Sequence, residues 1–329
     1  MNKVVKFSEY GGADVLRVET ENIVEPKAGE VSLRMSALAL NRANTLFREG
    51  VYLYEATFPS RIGTEGVGVI EAVGPDVTDW KVGQRVNLLA PDNESSEGYA
   101  AETIVVHQRK LLPAPKGLSD RLAATAWVPY LTLYHNFVER KQAAAGRWIV
   151  LPAASSSVAL AANNLAHHLG AKTIGITRTR KKQALLMDAG YDAVIISEKE
   201  NVSERILQIT SGGADFIFDP VGGPTLDALA ASVKPGGEIN VYGALDPEPT
   251  LLPVFALMNS GAKIGCYVVY ELLNDPARLQ QAVDYFTQLF ESGDLSPVAD
   301  DHAFSIDTIG DAFRHMESNT QFGKVVVTI

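Results

Sequence analysis

Hydrophobic and polar positions follow two different patterns along this chain. In residues 30–39 they alternate, so that Val31 and Leu33 share one face with polar residues between them, and such alternation predicts half-buried strands. From residue 148 onward, short continuous apolar runs are separated by stretches with helical spacing. Apolar runs of that length are typical of strands that are covered on both faces of a parallel sheet. The chain is therefore expected to combine a β-rich part with an α/β part.

The α/β part repeats one unit of strand, loop and helix. Its predicted strands are 148–151, 173–177, 193–196, 214–219, 238–241 and 263–269. Its predicted helices are 158–169, 201–210 and 224–233, preceded by a helical stretch at 120–138 that Pro129 is expected to interrupt. Strands and helices that alternate at these lengths predict a doubly wound parallel (Rossmann) sheet.

The last part of the chain changes character again. A long amphipathic helix is predicted over 276–291, a shorter helix over 307–317 and a closing strand over 324–329. We expect these last elements to rejoin the N-terminal β-rich part, so that the α/β part is an insertion. The predicted domains are residues 1–125 with 271–329, and residues 126–270.

Composition narrows the possible functions. The 329 residues carry a formal net charge of −10, which disfavours nucleic acid as a partner because duplex binding needs a basic face. The one cysteine, Cys266, excludes an internal disulfide and a multi-cysteine zinc site, and we expect it to be a small buried hydrophobe. No apolar run reaches the length of a signal sequence or a membrane span. A cytoplasmic protein is expected.

A loop of small residues, 153–157, joins the first strand of the α/β part to its helix. Such a loop lets a pyrophosphate approach the backbone N–H groups at the helix start, where the helix dipole favours negative charge. Dinucleotide-binding loops usually carry glycines at set spacings, whereas this one is rich in serine. The hydroxyls can donate to a phosphate, so we expect an altered pyrophosphate site, the alternative being that they only cap the helix. The candidate residues are Ser155, Ser156, Ser157 and Val158.

The next predicted strand ends in a basic run. Thr177 lies 22 residues after Ser155, and four of the five residues 178–182 are basic. An acidic residue about 20 residues after the loop binds the ribose of NAD, whereas a basic residue accommodates the 2′-phosphate of NADP. No acidic residue is present here, so Thr177, Arg178 and Lys182 are candidates for binding NADPH. A merely solvated helix start is disfavoured, because cations there oppose the helix dipole.

Six short motifs are spread over nearly the whole chain. They are NRANTLFREGVY at 41–52, GTEG at 63–66, VGQRV at 82–86, FDPVGG at 218–223, KPGGE at 234–238 and GKVV at 323–326. Together they resemble the medium-chain dehydrogenase/reductase superfamily, and within it the zinc-free quinone oxidoreductases. The resemblance implies that the β-rich part is a GroES-like, partly open barrel domain in which the Rossmann domain is inserted. It also implies a nicotinamide cofactor.

The same resemblance bears on metal binding. Zinc-dependent members carry a catalytic cysteine near the start of this region and a Gly-His-Glu triplet, whereas here the triplet is Gly63-Thr64-Glu65. The segment 88–99 also lacks the four-cysteine lobe of those members. Without these ligands we expect no zinc to act as a Lewis acid. Hydride transfer to a conjugated carbonyl remains feasible, because delocalisation spreads the developing charge and hydrogen bonds can stabilise it.

By resemblance, Asn41, Asn44 and Tyr52 belong to the stretch that lines the substrate cleft. Tyr52 is the candidate donor of a proton or a hydrogen bond to the developing enolate, the alternative being that its ring only packs. Many family members carry Asp at the position of Asn44, so a titratable partner is not expected here. The resemblance also places four residues near the cofactor: Thr132, Tyr242, Gly243 and Lys324. Alternatively, Thr132 is an ordinary helix threonine and Lys324 a solvated strand lysine.

The predicted function is an NADPH-dependent, metal-independent reductase that transfers hydride to a quinone or another activated enone or carbonyl. Two alternatives stay open: a 2-enoyl thioester reductase, and a non-catalytic protein that binds NADPH. The apolar strand at 263–270 is expected at the sheet edge, where pairing with a second copy would form a homodimer. Four histidines are scattered without ligand spacing, so they predict no metal site: His107, His135, His302 and His315.

Overall fold

Sixteen strands and twelve α-helices make up the computed structural model, which describes residues 1–329. In chain order the strands are β1 (Asn2–Phe7), β2 (Arg17–Glu21), β3 (Glu30–Ala39), β4 (Ser60–Arg61), β5 (Gly66–Val73), β6 (Arg85–Leu88), β7 (Thr103–His107), β8 (Leu111–Pro113), β9 (Trp148–Leu151), β10 (Lys172–Thr177), β11 (Ala193–Ile196), β12 (Ala214–Asp219), β13 (Val233–Val241), β14 (Lys263–Cys266), β15 (Phe304–Ser305) and β16 (Val326–Thr328). The helices are α1 (Arg42–Glu49), α2 (Glu94–Glu97), α3 (Asp120–Ala123), α4 (Trp127–Leu133), α5 (Ser157–His168), α6 (Gln183–Asp188), α7 (Val202–Thr210), α8 (Thr225–Ala230), α9 (Val254–Ser260), α10 (Tyr270–Leu273), α11 (Pro276–Ser292) and α12 (Ile309–Glu317). Short 3-10 turns and one π-helical segment, Tyr134–Glu139, complete them.

Internal contacts divide the chain into two units. The first unit is Met1–Val128 with Pro297–Ile329, and the second is Pro129–Ser296. The second boundary therefore differs from the expected one at 270/271, since α11 belongs to the second unit. Within that unit the ring of Tyr130 packs edge-on against Phe286 and Phe290 of α11, with ring centroids 5.4 and 4.9 Å apart.

The first unit is β-rich. Its larger sheet has the order β15-β16-β3-β5-β6-β8, with β7 also pairing with β3, and a smaller sheet has the order β2-β1-β4. The alternating apolar residues of β3, with Val31 and Leu33 fully buried, meet Phe313 and Met316 of α12 in one core. The C-terminal strand β16 pairs with β3, so the last elements do rejoin the N-terminal part.

A glycine allows β3 and β5 to approach each other closely. A Cβ atom at Gly68 would lie 2.6 Å from the carbonyl oxygen of Arg34, and the register of the two strands shifts near this point. A side chain is therefore excluded at Gly68, and the strands can bend there.

The second unit is built on a parallel sheet of six strands in the order β11-β10-β9-β12-β13-β14. The chain winds outward from β9 in one direction and from β12 in the other, which is the predicted doubly wound arrangement. Helices cover such sheets on both faces, and all residues of β12 are accordingly buried.

Two local expectations were wrong. Pro129 does not interrupt a helix: it lies in the first turn of α4, where a missing N–H costs no hydrogen bond, and the break falls between α3 and α4. Cys266 is exposed, because β14 lies at the edge of the sheet. None of the helices has both the length and the apolar composition that crossing a bilayer requires.

Candidate functional site

A network of buried polar side chains lies at the start of α1 in the first unit. Asn41 is the N-cap of this helix, and its backbone N–H donates to Oδ1 of Asn44 at 2.9 Å, which forms a capping box. Asn44 is fully buried and Asn41 is half-buried. Capping thus orients both asparagines, which the resemblance had assigned to the substrate region.

A buried ion pair forms one end of this network. Glu65 is fully buried, and its Oε2 lies 2.9 Å from Nζ of Lys324, whose side chain is 3% exposed. Lys324 also donates to Oδ1 of Asn41 at 2.5 Å, and the backbone N–H of Val128 donates to the other oxygen of Glu65 at 2.8 Å. The interpretation of Lys324 as a solvated strand lysine is therefore wrong. Its assignment to the cofactor stays a prediction.

Glu94 forms the other end. Its Oε1 accepts from Nδ2 of Asn44 at 2.7 Å and from the backbone N–H of Gly63 at 2.8 Å, and its Oε2 accepts from the hydroxyl of Tyr54 at 3.3 Å. Burial raises the pKa of Glu94 to about 7, although these three hydrogen bonds favour the charged form and hold it down. The carboxyl group of Glu94, from α2, therefore lies beside Asn44, and the sequence did not predict this contact.

Thr64 joins the two ends. Its Oγ1 accepts from Nδ2 of Asn41 at 3.3 Å and from Nδ2 of Asn44 at 3.2 Å. Tyr52 borders the network through Tyr54, since the two rings meet edge-on with centroids 5.0 Å apart. The catalytic candidates predicted from the sequence therefore lie in one region of the first unit, and their catalytic roles stay predictions.

The donor set around Glu65 does not fit a zinc ion. Asn41 and Thr64 stand there with one carboxylate, whereas protein zinc ligands are thiolates, imidazoles and carboxylates. In addition, the ammonium group of Lys324 is hydrogen-bonded to this carboxylate, and its positive charge opposes a divalent cation.

In the second unit, the predicted cofactor residues follow the carboxyl ends of the parallel strands. The strand order reverses between β9 and β12, and ligands of doubly wound sheets bind outside the strand ends at such a switch point. Ser155, Thr177 and Tyr242 each stand at or just after the end of β9, β10 or β13. Topology thus brings these three predicted positions to one edge of the sheet.

The serine loop is held in place from two sides. Ser156 is the N-cap of α5 and accepts from the N–H of Ala159 at 3.2 Å, and its hydroxyl also hydrogen-bonds to Tyr242. The buried hydroxyl of Tyr191 donates toward the carbonyl oxygens of Ala154, at 2.9 Å, and Ala159, at 3.0 Å. Ser156 is therefore a structural cap as well as a cofactor candidate, whereas Ser157 makes no side-chain hydrogen bond within the chain.

The basic run reaches the same loop. Nζ of Lys182 donates to Oγ of Ser155 at 2.8 Å, which places a positive charge beside the serines. Arg178 is exposed just after β10, and Thr177 is half-buried at the strand end. This arrangement provides a cation and a helix N-terminus for an anionic ligand.

The remaining cofactor candidates also lie in the second unit. Thr132 is buried in α4, and Val158 is the second residue of α5. At Gly243 an added Cβ would lie 2.8 Å from the carbonyl oxygen of Pro220, so glycine is required there. Near it, burial raises the pKa of Asp219 to about 6, opposed by hydrogen bonds from the N–H groups of Val221 and Gly222.

One expectation about the histidines was wrong. His302 and His315 are not scattered, because the fold of the first unit brings both against Asp300. His135 forms a separate contact with Glu139, 2.8 Å away.

Comparison with known proteins identifies relatives over the whole chain. The family model described as an alcohol dehydrogenase GroES-like domain matches residues 27–116, and the one described as a zinc-binding dehydrogenase matches residues 157–288. A quinone oxidoreductase from Pseudomonas aeruginosa is 31% identical over 300 residues, which cover 90% of either chain.

Two solved structures of quinone oxidoreductases are also similar. The Pseudomonas syringae enzyme superimposes with a TM-score of 0.90 at 27% identity, and each chain is covered completely. The Escherichia coli enzyme, solved in complex with NADPH, superimposes with a TM-score of 0.91 at 23% identity, covering 99% of this chain and 100% of the other. At that identity, the second likeness shows the fold alone.

The raised pKa of Glu94 predicts how stability depends on pH. In the unfolded chain a glutamate ionises near 4.5, whereas in the folded protein Glu94 stays protonated up to about pH 7. The free energy of unfolding should therefore fall as the pH rises from 4.5 to 7, by at most about 3 kcal/mol from this one group. Glu94→Gln removes this titration but keeps an acceptor for Asn44 and Gly63. Urea unfolding at pH 5 and pH 8 should show the variant gaining stability relative to the natural protein at the higher pH.

Glu97→Gln is the matched control, because Glu97 is exposed at the other end of α2 and should show no such change. A stability difference between Glu94→Gln and the natural protein that is the same at both pH values would contradict the prediction.

Proposed function

Because this chain belongs to the quinone oxidoreductases of the medium-chain dehydrogenase/reductase superfamily, we propose that it reduces a quinone or another activated enone or carbonyl with NADPH. The family and the fold class predicted from the sequence are thereby confirmed. The observation that carries the cofactor proposal is the contact between Lys182 and the serine loop at the switch point of the sheet.

The second unit supplies the groups that would hold NADPH. Lys182 and Arg178 offer positive charge for the 2′-phosphate, where an NAD-specific protein would present a carboxylate. The N-terminus of α5, with the free hydroxyl of Ser157, suits the pyrophosphate. When bound, NADPH supplies the hydride.

The first unit supplies the groups that would act on the substrate. Tyr52 is half-buried beside the Tyr54–Glu94 contact, and we assign it the hydrogen bond or proton that stabilises the developing enolate oxygen. Asn41 and Asn44 are held by their capping box and would orient polar groups around the substrate. The reaction needs no metal, because an enone or quinone spreads the developing charge over its conjugated system.

Cofactor discrimination tests the proposed role of Lys182. Lys182→Ala should raise the Kd for NADPH at least about tenfold, equivalent to about 1.4 kcal/mol, because a charge-assisted bond to the 2′-phosphate is lost. The Kd for NADH should stay within about twofold. Titration of the nicotinamide fluorescence measures both. The control is Lys172→Ala at the opposite end of β10, where the ammonium lies 5.2 Å from the ring centre of Trp148.

The natural protein provides the decisive result for the whole proposal. If the natural protein binds NADH better than NADPH, the assignment of the basic run 178–182 to the 2′-phosphate is wrong. If it binds neither cofactor, the proposed reductase activity is wrong. NADPH oxidation with quinones, enones and enoyl thioesters then identifies the substrate class. Activity confined to thioesters would favour a 2-enoyl thioester reductase, and binding without any turnover would favour a non-catalytic protein.

The phenol of Tyr52 can be tested separately. Tyr52→Phe should lower kcat at least about tenfold, or about 1.4 kcal/mol of barrier, while the Kd for NADPH is unchanged. Tyr285→Phe is the control, because Tyr285 is a half-buried tyrosine of α11 that contributes ring contacts. Unchanged turnover in Tyr52→Phe would refute the catalytic role of the phenol and indicate that the Tyr52 ring contributes only packing.

We also propose that the protein forms a homodimer in the cytoplasm. Strand β14 lies at the open edge of the parallel sheet, and the neighbouring segment exposes large apolar side chains. They are Leu251, Leu252, Val254, Phe255 and Met258, between 49% and 84% exposed. An open strand edge beside apolar side chains favours pairing with a second copy about a two-fold axis.

Light scattering tests the dimer. The natural protein should have twice the mass of the chain at micromolar concentration, and Phe255→Glu should shift it toward the monomer, because a charge cannot be buried unpaired in the interface. Val82→Glu, which also changes an exposed apolar residue, should leave the mass unchanged. A monomeric natural protein would refute the proposal.

A further inference from the structure

Three potential metal ligands converge in the C-terminal part of the first unit. Asp300 and His302 lie in the loop before β15, and His315 lies on α12. One ligand atom from each side chain falls within 4.8 Å of the other two. The backbone N–H of Asp300 donates to the carbonyl oxygen of Lys324 at 2.8 Å, but the proposed reductase function uses none of the three side chains.

The carboxylate of Asp300 is at the centre of the cluster. Its Oδ1 lies 2.8 Å from Nδ1 of His302 and 3.0 Å from Nε2 of His315, and the two imidazole ring centres are 4.0 Å apart. In a tetrahedral zinc site, ligand atoms about 2.0 Å from the metal are separated by about 3.3 Å. The two distances from Asp300 therefore need to lengthen by only a few tenths of an ångström, and the two imidazole nitrogens lie within 4.8 Å of each other.

Contacts outside the cluster hold these ligands in place. The other oxygen of Asp300 accepts the backbone N–H of Phe322 at 2.8 Å, and Thr320 lies 3.4 Å from Nδ1 of His315. Arg121 donates to the carbonyl oxygen of His302 at 3.0 Å, which anchors the loop that carries this histidine. Metal-binding histidines and carboxylates typically have such outer hydrogen-bond partners, which set their orientation.

We propose that Asp300, His302 and His315 form a binding site for a divalent transition metal ion of the zinc type. Two imidazoles and one carboxylate are borderline ligands that favour zinc, cobalt and nickel over calcium or magnesium, which prefer oxygen. Asp300 is 4% exposed and His315 is largely buried, whereas His302 is 63% exposed in its side chain. The exposed side lets an ion enter and lets water complete its coordination.

The alternative is that the same side chains form only Asp–His hydrogen bonds, whose lengths the observed distances also match. A direct measurement of metal binding distinguishes a metal site from a cluster of Asp–His hydrogen bonds. Untagged protein freed of metal with a chelator is titrated with zinc chloride by calorimetry, and with cobalt chloride by visible absorption. We expect one ion per chain with a micromolar or lower Kd, and a rise in Tm on adding zinc.

His302→Ala is the principal variant, because the exposed ring of His302 can be removed with little effect on folding. It should weaken zinc binding at least tenfold and abolish the zinc-dependent rise in Tm. His168→Ala, which removes an exposed histidine of α5 in the second unit, should bind zinc like the natural protein. Asp300→Asn provides a second variant that keeps the size of the central residue.

The outcome does not depend on reductase activity, because binding and Tm are measured without substrate or NADPH. Stoichiometric binding that is lost in His302→Ala and kept in His168→Ala would support the site. No saturable binding, or binding that is equally strong in His302→Ala, would overturn it and leave an Asp–His hydrogen-bonded cluster.

Discussion

The buried ion pair between Lys324 and Glu65 is the interaction on which the first unit depends. A carboxylate with no exposed surface is costly unless an opposite charge and hydrogen bonds accompany it, and here Lys324, Val128 and Asn41 supply them. Lys324 comes from the last residues of the chain, 259 positions after Glu65 in sequence. The charge of Glu65 can therefore be buried only when the C-terminal segment is in place, which links the discontinuous unit through electrostatics as well as through the pairing of β16 with β3.

The two buried glutamates of this unit show how environment separates similar groups. Glu65 has a lysine as its partner, whereas Glu94 has only neutral donors, and burial raises the pKa of Glu94 to about 7. Asn41, Thr64 and Asn44 connect them through hydrogen bonds. Carboxyl groups in such different surroundings can perform different tasks at one pH. The network therefore has a carboxylate paired with a lysine at one end of a chain of hydrogen bonds and, at the other end, a carboxyl group whose pKa burial raises to about 7.

The fold could be predicted from the sequence to a large extent, because its main signals are local. The apolar runs that became β9 to β13, and the alternation in β3, depend only on neighbouring residues. The positions of the serine loop and the basic run could also be predicted from the sequence, because the ends of parallel strands meet at one edge of a sheet. Local pattern failed at Cys266, because its strand was expected at the sheet edge but the burial of one side chain there depends on what other parts of the chain cover it. The polar clusters of the first unit could be predicted only in part. Asn41 and Asn44 share one motif, but Glu94 lies 50 residues from Asn44 and carries no pattern that distinguishes a buried glutamate from an exposed one. Asp300, His302 and His315 likewise have no ligand spacing in sequence, since a loop and a helix bring them together.

The presence of Lys324 beside Glu65 also limits the chemistry that the first unit can support. In a zinc-dependent relative, a metal supplies the positive charge that stabilises an alkoxide, whereas here the ammonium group already satisfies the carboxylate. A saturated alcohol would therefore lack a strong electrophile for its oxygen. A quinone or enone makes a smaller demand, because its own conjugated bonds share the charge, and in the proposed reaction the phenol of Tyr52 completes the stabilisation. The ion pair that stabilises the fold thus also favours conjugated substrates.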